Sequence, residues 1–321
     1  MKEALLDIKG LKTYFFTSYG TVKAVDGIDF HIKKGETLGL VGESGCGKSV
    51  TALSILRLVQ YPPGRIVEGE ILLEGVDLLK LNEDEMRKIR GAKIAISFQD
   101  PMTYLNPVKR VGDQVAEAIL LHQNVMKEEA LEKAVETMEL VGIPSAAERS
   151  RDYPHQFSGG MRQRIMIAMA ICCGPDLLIA DEPTTNLDVL VQDQILEMME
   201  NLKEKIGASI LLITHDLGVV AEVSDRVIVM YAGNIMEISD VVSIFQEPLH
   251  PYTQGLLESI PRLNIEKKRL TSIKGEVPNL IDPLPGCKFY PRCQKGMEIC
   301  SKNKPEIVKI GDRYVSCHLY R

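Results

Sequence analysis

Gly42-Glu43-Ser44-Gly45-Cys46-Gly47-Lys48-Ser49 stands directly behind the apolar run Leu38-Gly39-Leu40-Val41 and reads G-x-x-x-x-G-K-S, a phosphate-binding loop set between a strand and a helix. Its glycines let successive backbone N–H groups point into one concavity. The helix that begins near Gly47 adds its positive dipole end, and Lys48 adds a full charge. Such a loop suits a triphosphate with magnesium. The expected partner is an apolar strand ending in a carboxylate, because Mg2+ needs an anionic anchor beside the β- and γ-phosphates. Leu177-Leu178-Ile179-Ala180 followed by Asp181 fits, and Glu182 is then placed to orient or deprotonate an attacking water.

Outward from the loop, the chain predicts an α/β fold. Short apolar alternation between Ala4 and Ile32, punctuated by Gly10, Gly20 and Gly27, predicts antiparallel strands. Tyr14, Phe15, Phe16 and Tyr19 crowd that segment, either as core or as a face that stacks on a base. A helix is expected over Val50–Val59, stopped by Tyr61-Pro62-Pro63-Gly64, and strands over Gly69–Leu73 and Ile94–Phe98. Apolar residues at i, i+3 and i, i+4 intervals mark a helical insertion over about 100–174. A buried strand at Leu177, a helix over Val189–Lys205 and a buried strand at Ile210–Ile213 then form a β-α-β alternation, hence a mostly parallel sheet. Two short strands, Val227–Met230 and Asn234–Ile238, close this unit. Beyond Phe245 the texture changes to eight prolines from Pro248 onward, Pro261 among them, and a domain boundary is expected there: 1–245, then 246–321.

Two further positions belong to the loop's chemistry. His215 follows the strand Ile210–Thr214, at the sheet edge expected for Lys48 and Glu182, and can donate to a γ-phosphate oxygen. Gln99 ends another strand, with its amide within reach of Mg2+ or water. Phe157-Ser158-Gly159-Gly160-Met161 opens a helix with free N–H groups and offers a second anion site. If the helical insertion holds it away from the first site, two chains facing head to tail would each close the other's nucleotide.

Composition bounds the function. The chain has 321 residues, 45% hydrophobic and 26% charged, with net charge −6, which argues against general nucleic-acid binding. No apolar run of 18 residues occurs and Met1-Lys2-Glu3-Ala4 lacks a leader pattern, so a cytoplasmic chain is expected. Three of seven cysteines (Cys46, Cys172, Cys173) lie in the loop or an apolar stretch, which argues against a disulfide framework.

Taken together, Gly42 to Ser49, Gln99, Ser158 to Met161, Leu177 to Glu182, Asn186-Leu187-Asp188 and His215 resemble, in order and spacing over residues 4–245, the nucleotide-binding subunit of ATP-binding cassette transporters. That resemblance implies ATP in a cradle of Gly42, Glu43, Ser44, Gly45, Cys46, Gly47, Lys48 and Ser49, with Mg2+ on Ser49, Gln99 and Asp181. It makes Glu182 the catalytic carboxylate and gives Gln99 and His215 the γ-phosphate. Ser158, Gly159 and Gly160 would complete a partner's site, and Asp188 would communicate across the dimer. Phe15, by its spacing ahead of Ala24, matches the adenine-stacking aromatic, with Tyr19 as rival. Met161, where glutamine is usual, and Asn186, where a small residue is usual, depart from the pattern.

The tail narrows the resemblance. His250-Pro251-Tyr252-Thr253 and Gly286-Cys287-Lys288-Phe289-Tyr290-Pro291-Arg292-Cys293 look like the C-terminal extension of oligopeptide and dipeptide importers, in the subunit called D. Cys287, Cys293, Cys300 and Cys317 are spaced C-x5-C-x6-C-x16-C. Four clustered thiols imply a metal centre, and the absence of C-x2-C pairs favours a [4Fe–4S] cluster over zinc or free thiols, as does the resemblance. His318 could replace one ligand. Residues 287–321 carry eight Lys/Arg against three acids, expected to form a solvated basic face. The resemblance further implies a paralogous ATPase partner, two membrane permease subunits, an extracytoplasmic peptide-binding protein acting indirectly, a place on the cytoplasmic face of the membrane, and no nucleic acid. The alternative is a soluble cassette ATPase acting on nucleic acid or the ribosome with the cysteines as a sensing module; such chains usually carry two cassettes or a long coiled coil, and this one carries neither.

Overall fold

The computed structural model describes residues 3–259, 273–281, 283 and 285–321; Pro261 lies outside them. The chain divides into two compact units.

The first unit is built chiefly from Lys80–Ile213. Its strands Ile94–Ser97, Leu177–Asp181 and Ser209–Thr214 run parallel, with Ile94 opposite Leu177 and Leu177 opposite Ser209. Every residue of Leu177–Asp181 is buried, as a parallel strand covered on both faces requires. Helix Val189–Ile206 makes the crossover. It buries Ile195, Leu196, Met198, Met199 and Leu202, one face at helical spacing, starts on the Asp188 side-chain cap and ends at Gly207 with φ 73°. The predicted helical insertion is present as helices Pro101–Tyr104, Val111–His122, Lys127–Leu140, Ala146–Arg149 and Gly159–Ile171. Val111, Val115 and Ile119 on one helix, and Ala130, Ala134 and Met138 on the next, are fully buried.

The second unit comprises Ala4–Ile32, Leu38–Leu79 and Thr214–Arg321. An antiparallel sheet orders Gly20–Lys33, Ala4–Thr17, Gly64–Leu73 and Val76–Asp77. In a second sheet Thr37–Val41 runs parallel to Arg226–Tyr231, with Leu40 opposite Ile228. Asn234–Asp240, Arg313–Val315 and Val308–Ile310 continue it antiparallel. The last two strands belong to the tail and have three residues each, too short to show a period in the sequence. Helix Lys48–Ile55 starts from the loop and stops four residues earlier than expected. Arg57, at φ 52°, turns the chain ahead of Tyr61-Pro62-Pro63.

The tail shares the core of the loop-bearing strand. Tyr252, Cys287, Phe289 and Cys300 pack with Val41, Val227, Val229 and Tyr231. Ring centroids of Tyr231, Tyr252 and Phe289 lie 4.7–5.3 Å apart in tilted or edge-on pairs, the geometry that aromatic quadrupoles favour.

Candidate functional site

Strand Thr37–Val41, buried along its whole length, delivers the loop to the start of helix Lys48–Ile55. Glycine is needed at two positions for close packing. A Cβ on Gly42 would stand 2.1 Å from the Met230 carbonyl oxygen, and one on Gly47, at φ 106°, 2.3 Å from that of Ala24. Gly47 offers no side chain to cap the first turn of this helix. Lys48 is buried, and its Nζ donates to the carbonyls of Gly42 (2.8 Å) and Glu43 (3.3 Å), so its charge is held over the loop it serves. Ser44, Gly45 and Ser49 are exposed. Cys46 is buried, and burial pushes its thiol pKa up, which makes it a neutral packing group.

In the same unit, His215 is exposed just past the strand Ser209–Thr214, and Asp216 caps the following helix. Of the aromatic candidates, Tyr14 donates to Asp26 at 2.7 Å, Tyr19 is 87% exposed, and Phe15 is half-buried opposite Gly64. A Cβ on Gly64 would meet the Phe15 ring at 2.7 Å, so Gly64 makes the room that ring occupies.

The first unit holds the carboxylates. Asp181 is buried at the end of its strand. Glu182 has φ 49°, a left-handed backbone that costs a non-glycine residue about 1–3 kcal/mol and concentrates at functional sites. Hydrogen bonds hold it there. Its N–H donates to the Ile213 carbonyl at 2.8 Å, and its Oε2 accepts from Gln99 Nε2 (2.8 Å) and Thr185 Oγ1 (2.9 Å). The structure thus joins Gln99 and Glu182 directly. Thr185 is a partner that sequence reasoning missed; its one signal is a hydroxyl three residues beyond Glu182.

Ser158 is exposed and caps helix Gly159–Ile171, its Oγ accepting from the Met161 N–H at 3.4 Å. A Cβ on Gly160 would lie 2.5 Å from Val191 Cγ1, so this glycine lets two helices close. Asn186 has φ 65°, a conformation asparagine tolerates, which accounts for the departure at that position. Asp188 Oδ1 accepts from the Val191 N–H at 3.0 Å.

In the tail, Cys287, Cys293, Cys300 and Cys317 line one small cavity together with His250 and His318. Burial raises the thiol pKa of Cys287 to about 11 and pushes those of Cys293 and Cys317 up as well. Among the described residues no group of three or more His, Cys, Asp or Glu is arranged to hold a metal ion. Of the eight Lys/Arg expected on a solvated basic face, Lys295, Lys302, Lys304, Lys309 and Arg321 are exposed, while Lys288 and Arg292 turn inward. Lys288 is buried, bonding the Ala232 carbonyl (2.8 Å) and pairing with Asp26 (3.1 Å); Lys304 bonds the Asp26 carbonyl, and Arg292 forks onto Glu43. Lys288 and Arg292 are inward anchors, and Lys304 holds the Asp26 backbone from the surface.

Comparison with known proteins agrees with this geometry. The ABC transporter family model matches residues 25–185, and the model for the C-terminal region of oligopeptide/dipeptide transporters matches 236–300. The oligopeptide transport ATP-binding protein AppD of Bacillus subtilis is 54% identical over 98% of this chain and 97% of its own length. The dipeptide transport ATP-binding protein DppD of the same organism is 51% identical over 99% and 95%. Among solved structures, the dimeric post-hydrolysis state of the ATP-binding cassette MJ0796 with ADP and Pi superposes with TM-score 0.66 at 26% identity, covering 74% of this chain and 98% of that one. No helix among the described residues is long and apolar enough to cross a membrane. With a phosphate loop, a strand-end carboxylate pair and this tail, the chain belongs to the ABC transporter family, as an ATPase of the oligopeptide and dipeptide ATP-binding branch.

Proposed function

We propose that this chain hydrolyses ATP to drive import of di- and oligopeptides through two separate membrane permease subunits, from the cytoplasmic face of the membrane. The observation that carries the chemistry is Glu182, strained at φ 49° and fixed by Gln99 and Thr185. In the proposed roles, Lys48 and the N–H groups of residues 42–49 hold the phosphates. Ser49, Asp181 and Gln99 hold Mg2+, which neutralises charge on the β- and γ-oxygens. Glu182 orients the water for in-line attack, and His215 donates to the γ-phosphate. Phe15 stacks on the adenine. Ser158, Gly159 and Gly160 serve the nucleotide of a second ATPase subunit, a paralogue rather than a copy, with Asp188 at the junction. Peptides reach the permeases from an extracytoplasmic binding protein. Exposed Met102, Tyr104 and Val108 supply apolar surface for a permease helix near residues 101–107. Residues 1–245 form the ATPase and 246–321 its extension.

The same proposal gives the extension a [4Fe–4S] cluster held by Cys287, Cys293, Cys300 and Cys317. What supports it is that all four cysteines line one cavity, four cysteine thiolates being the usual ligand set of such a cluster. His318 supports it too. Its Nδ1 is buried without a partner in that cavity while its Nε2 lies 2.9 Å from the Asn303 carbonyl oxygen, leaving one ring nitrogen for a group not yet bound. When bound, the cluster would supply a covalent pin or an electron site.

Reconstitution with the permeases tests the transport assignment: ATP-dependent uptake of labelled peptide is expected, and ATPase stimulation by RNA with no uptake would replace it with the nucleic-acid alternative. Anaerobic purification tests the cluster. Broad visible absorption with about four irons per chain is expected; a colourless, iron-free chain that folds normally would remove it.

A further inference from the structure

Glu43, the first variable residue of the phosphate loop, is held at every polar group it has. Its N–H donates to the Tyr252 hydroxyl at 3.0 Å, and its carbonyl accepts from Lys48 Nζ at 3.3 Å. Its two carboxylate oxygens accept from Arg292 Nη1 at 2.7 Å and Nη2 at 3.1 Å, a bidentate fork. Arg292 is itself built in. Its side chain is 6% exposed, it lies over the Tyr231 ring, and it donates to the Tyr231 hydroxyl (3.2 Å) and to the carbonyls of Lys274 and Ile273. Tyr252 is fully buried against the same ring. The Glu43 carbonyl also accepts from the Cys46 N–H at 3.2 Å, and the restraints on the Glu43 N–H and carboxylate both come from the tail, more than 200 positions away.

We infer that Arg292 and Tyr252 are positioning residues for the nucleotide: the tail neutralises the Glu43 carboxylate and fixes its backbone, so that the loop presents net positive potential to the triphosphate. A loop that binds a polyanion is weakened by an unpaired carboxylate of its own, most for the ligand of highest charge. Glu43 in this chain needs the guanidinium for that reason. The inference rests on ATP binding at residues 42–49, and nothing in it depends on the cysteine centre.

Binding of a fluorescent ATP analogue and of its ADP counterpart, with Mg2+, to the purified full chain tests it in four proteins: unaltered, Arg292→Ala, Glu43→Gln and the double variant. Arg292→Ala should weaken ATP about tenfold and ADP less, a gap set by one phosphate charge. In the Glu43→Gln background the Arg292→Ala change should alter ATP affinity by less than about twofold, whatever Glu43→Gln does by itself, since removing the carboxylate removes the need for its partner. Arg292→Lys, which keeps the charge and loses the fork, is the fallback if the alanine variant does not fold, with an expected loss of about threefold. Unchanged ATP affinity in Arg292→Ala would overturn the inference, as would a double variant about tenfold weaker than Glu43→Gln, because the loss would then be damage to packing. An unaltered chain that binds no ATP would instead remove the assignment of the loop.

Discussion

Two helix N-termini in this molecule carry anion-binding character, and they are built oppositely. The one at Gly47 is enclosed. Its lysine is buried, Gly42 and Gly47 sit where a Cβ would strike the Met230 and Ala24 carbonyls, and its loop, exposed at Ser44, Gly45 and Ser49, is tied down by Tyr252 and Arg292. The one at Ser158 is open, with Ser158 and Gly159 on the surface and the hydroxyl engaged only as a cap at 3.4 Å. An enclosed N-terminus with its own cation can grip a polyphosphate alone. An open one, with dipole and N–H groups but a weak cap, contributes when a charge is brought to it. The difference fits a division of labour in which the first binds ATP and the second acts on a nucleotide carried by another subunit.

The comparison breaks most sharply at Lys48. Lys48→Ala should weaken ATP about a hundredfold, the loss of charge-assisted bonds to phosphate, with the fold intact by circular dichroism. Equal affinity would mean that the enclosed site is not the one that binds. At the open site, Ser158→Ala should leave ATP binding to the isolated chain unchanged and lower turnover of the assembled transporter about tenfold, with about 1 kcal/mol lost from the helix cap. A fall in affinity for the isolated chain would erase the contrast between the two termini.

The smallest effect concerns the anchoring of the tail. His250 is buried, its Nδ1 accepts from the Tyr252 N–H at 3.0 Å, and burial pushes its pKa down to about 3 from an ordinary 6.5. Between those values the unfolded chain binds a proton that the folded chain does not. Stability from this group is therefore complete above pH 6.5 and is lost as pH falls toward 3. Thermal unfolding should show that slope, and His250→Gln should flatten it; an identical slope in the variant would place the acid sensitivity elsewhere.

The phosphate loop and the acid-ended strand were legible because their chemistry is local: a spacing of glycines, a lysine, and an apolar run that stops at Asp181. Buried parallel strands announce themselves as unbroken hydrophobic runs, so the β-α-β alternation was legible too. The tail was not. Its three-residue strands pair with a sheet formed some 80 residues earlier, and its Lys288 and Arg292 read as surface charges because their partners, Asp26 and Glu43, are more than 240 positions away. Thr185 escaped for a similar reason: a hydroxyl declares its role only once the backbone at Glu182 has turned left-handed.

The proposed role of Glu182 in hydrolysis is probed by Glu182→Gln. The amide keeps the size of the side chain and removes its charge. Phosphate release from ATP by the assembled complex should fall about a thousandfold, the span of a lost catalytic base, while ATP affinity stays at the unaltered value. Undiminished phosphate release in that variant would contradict the account.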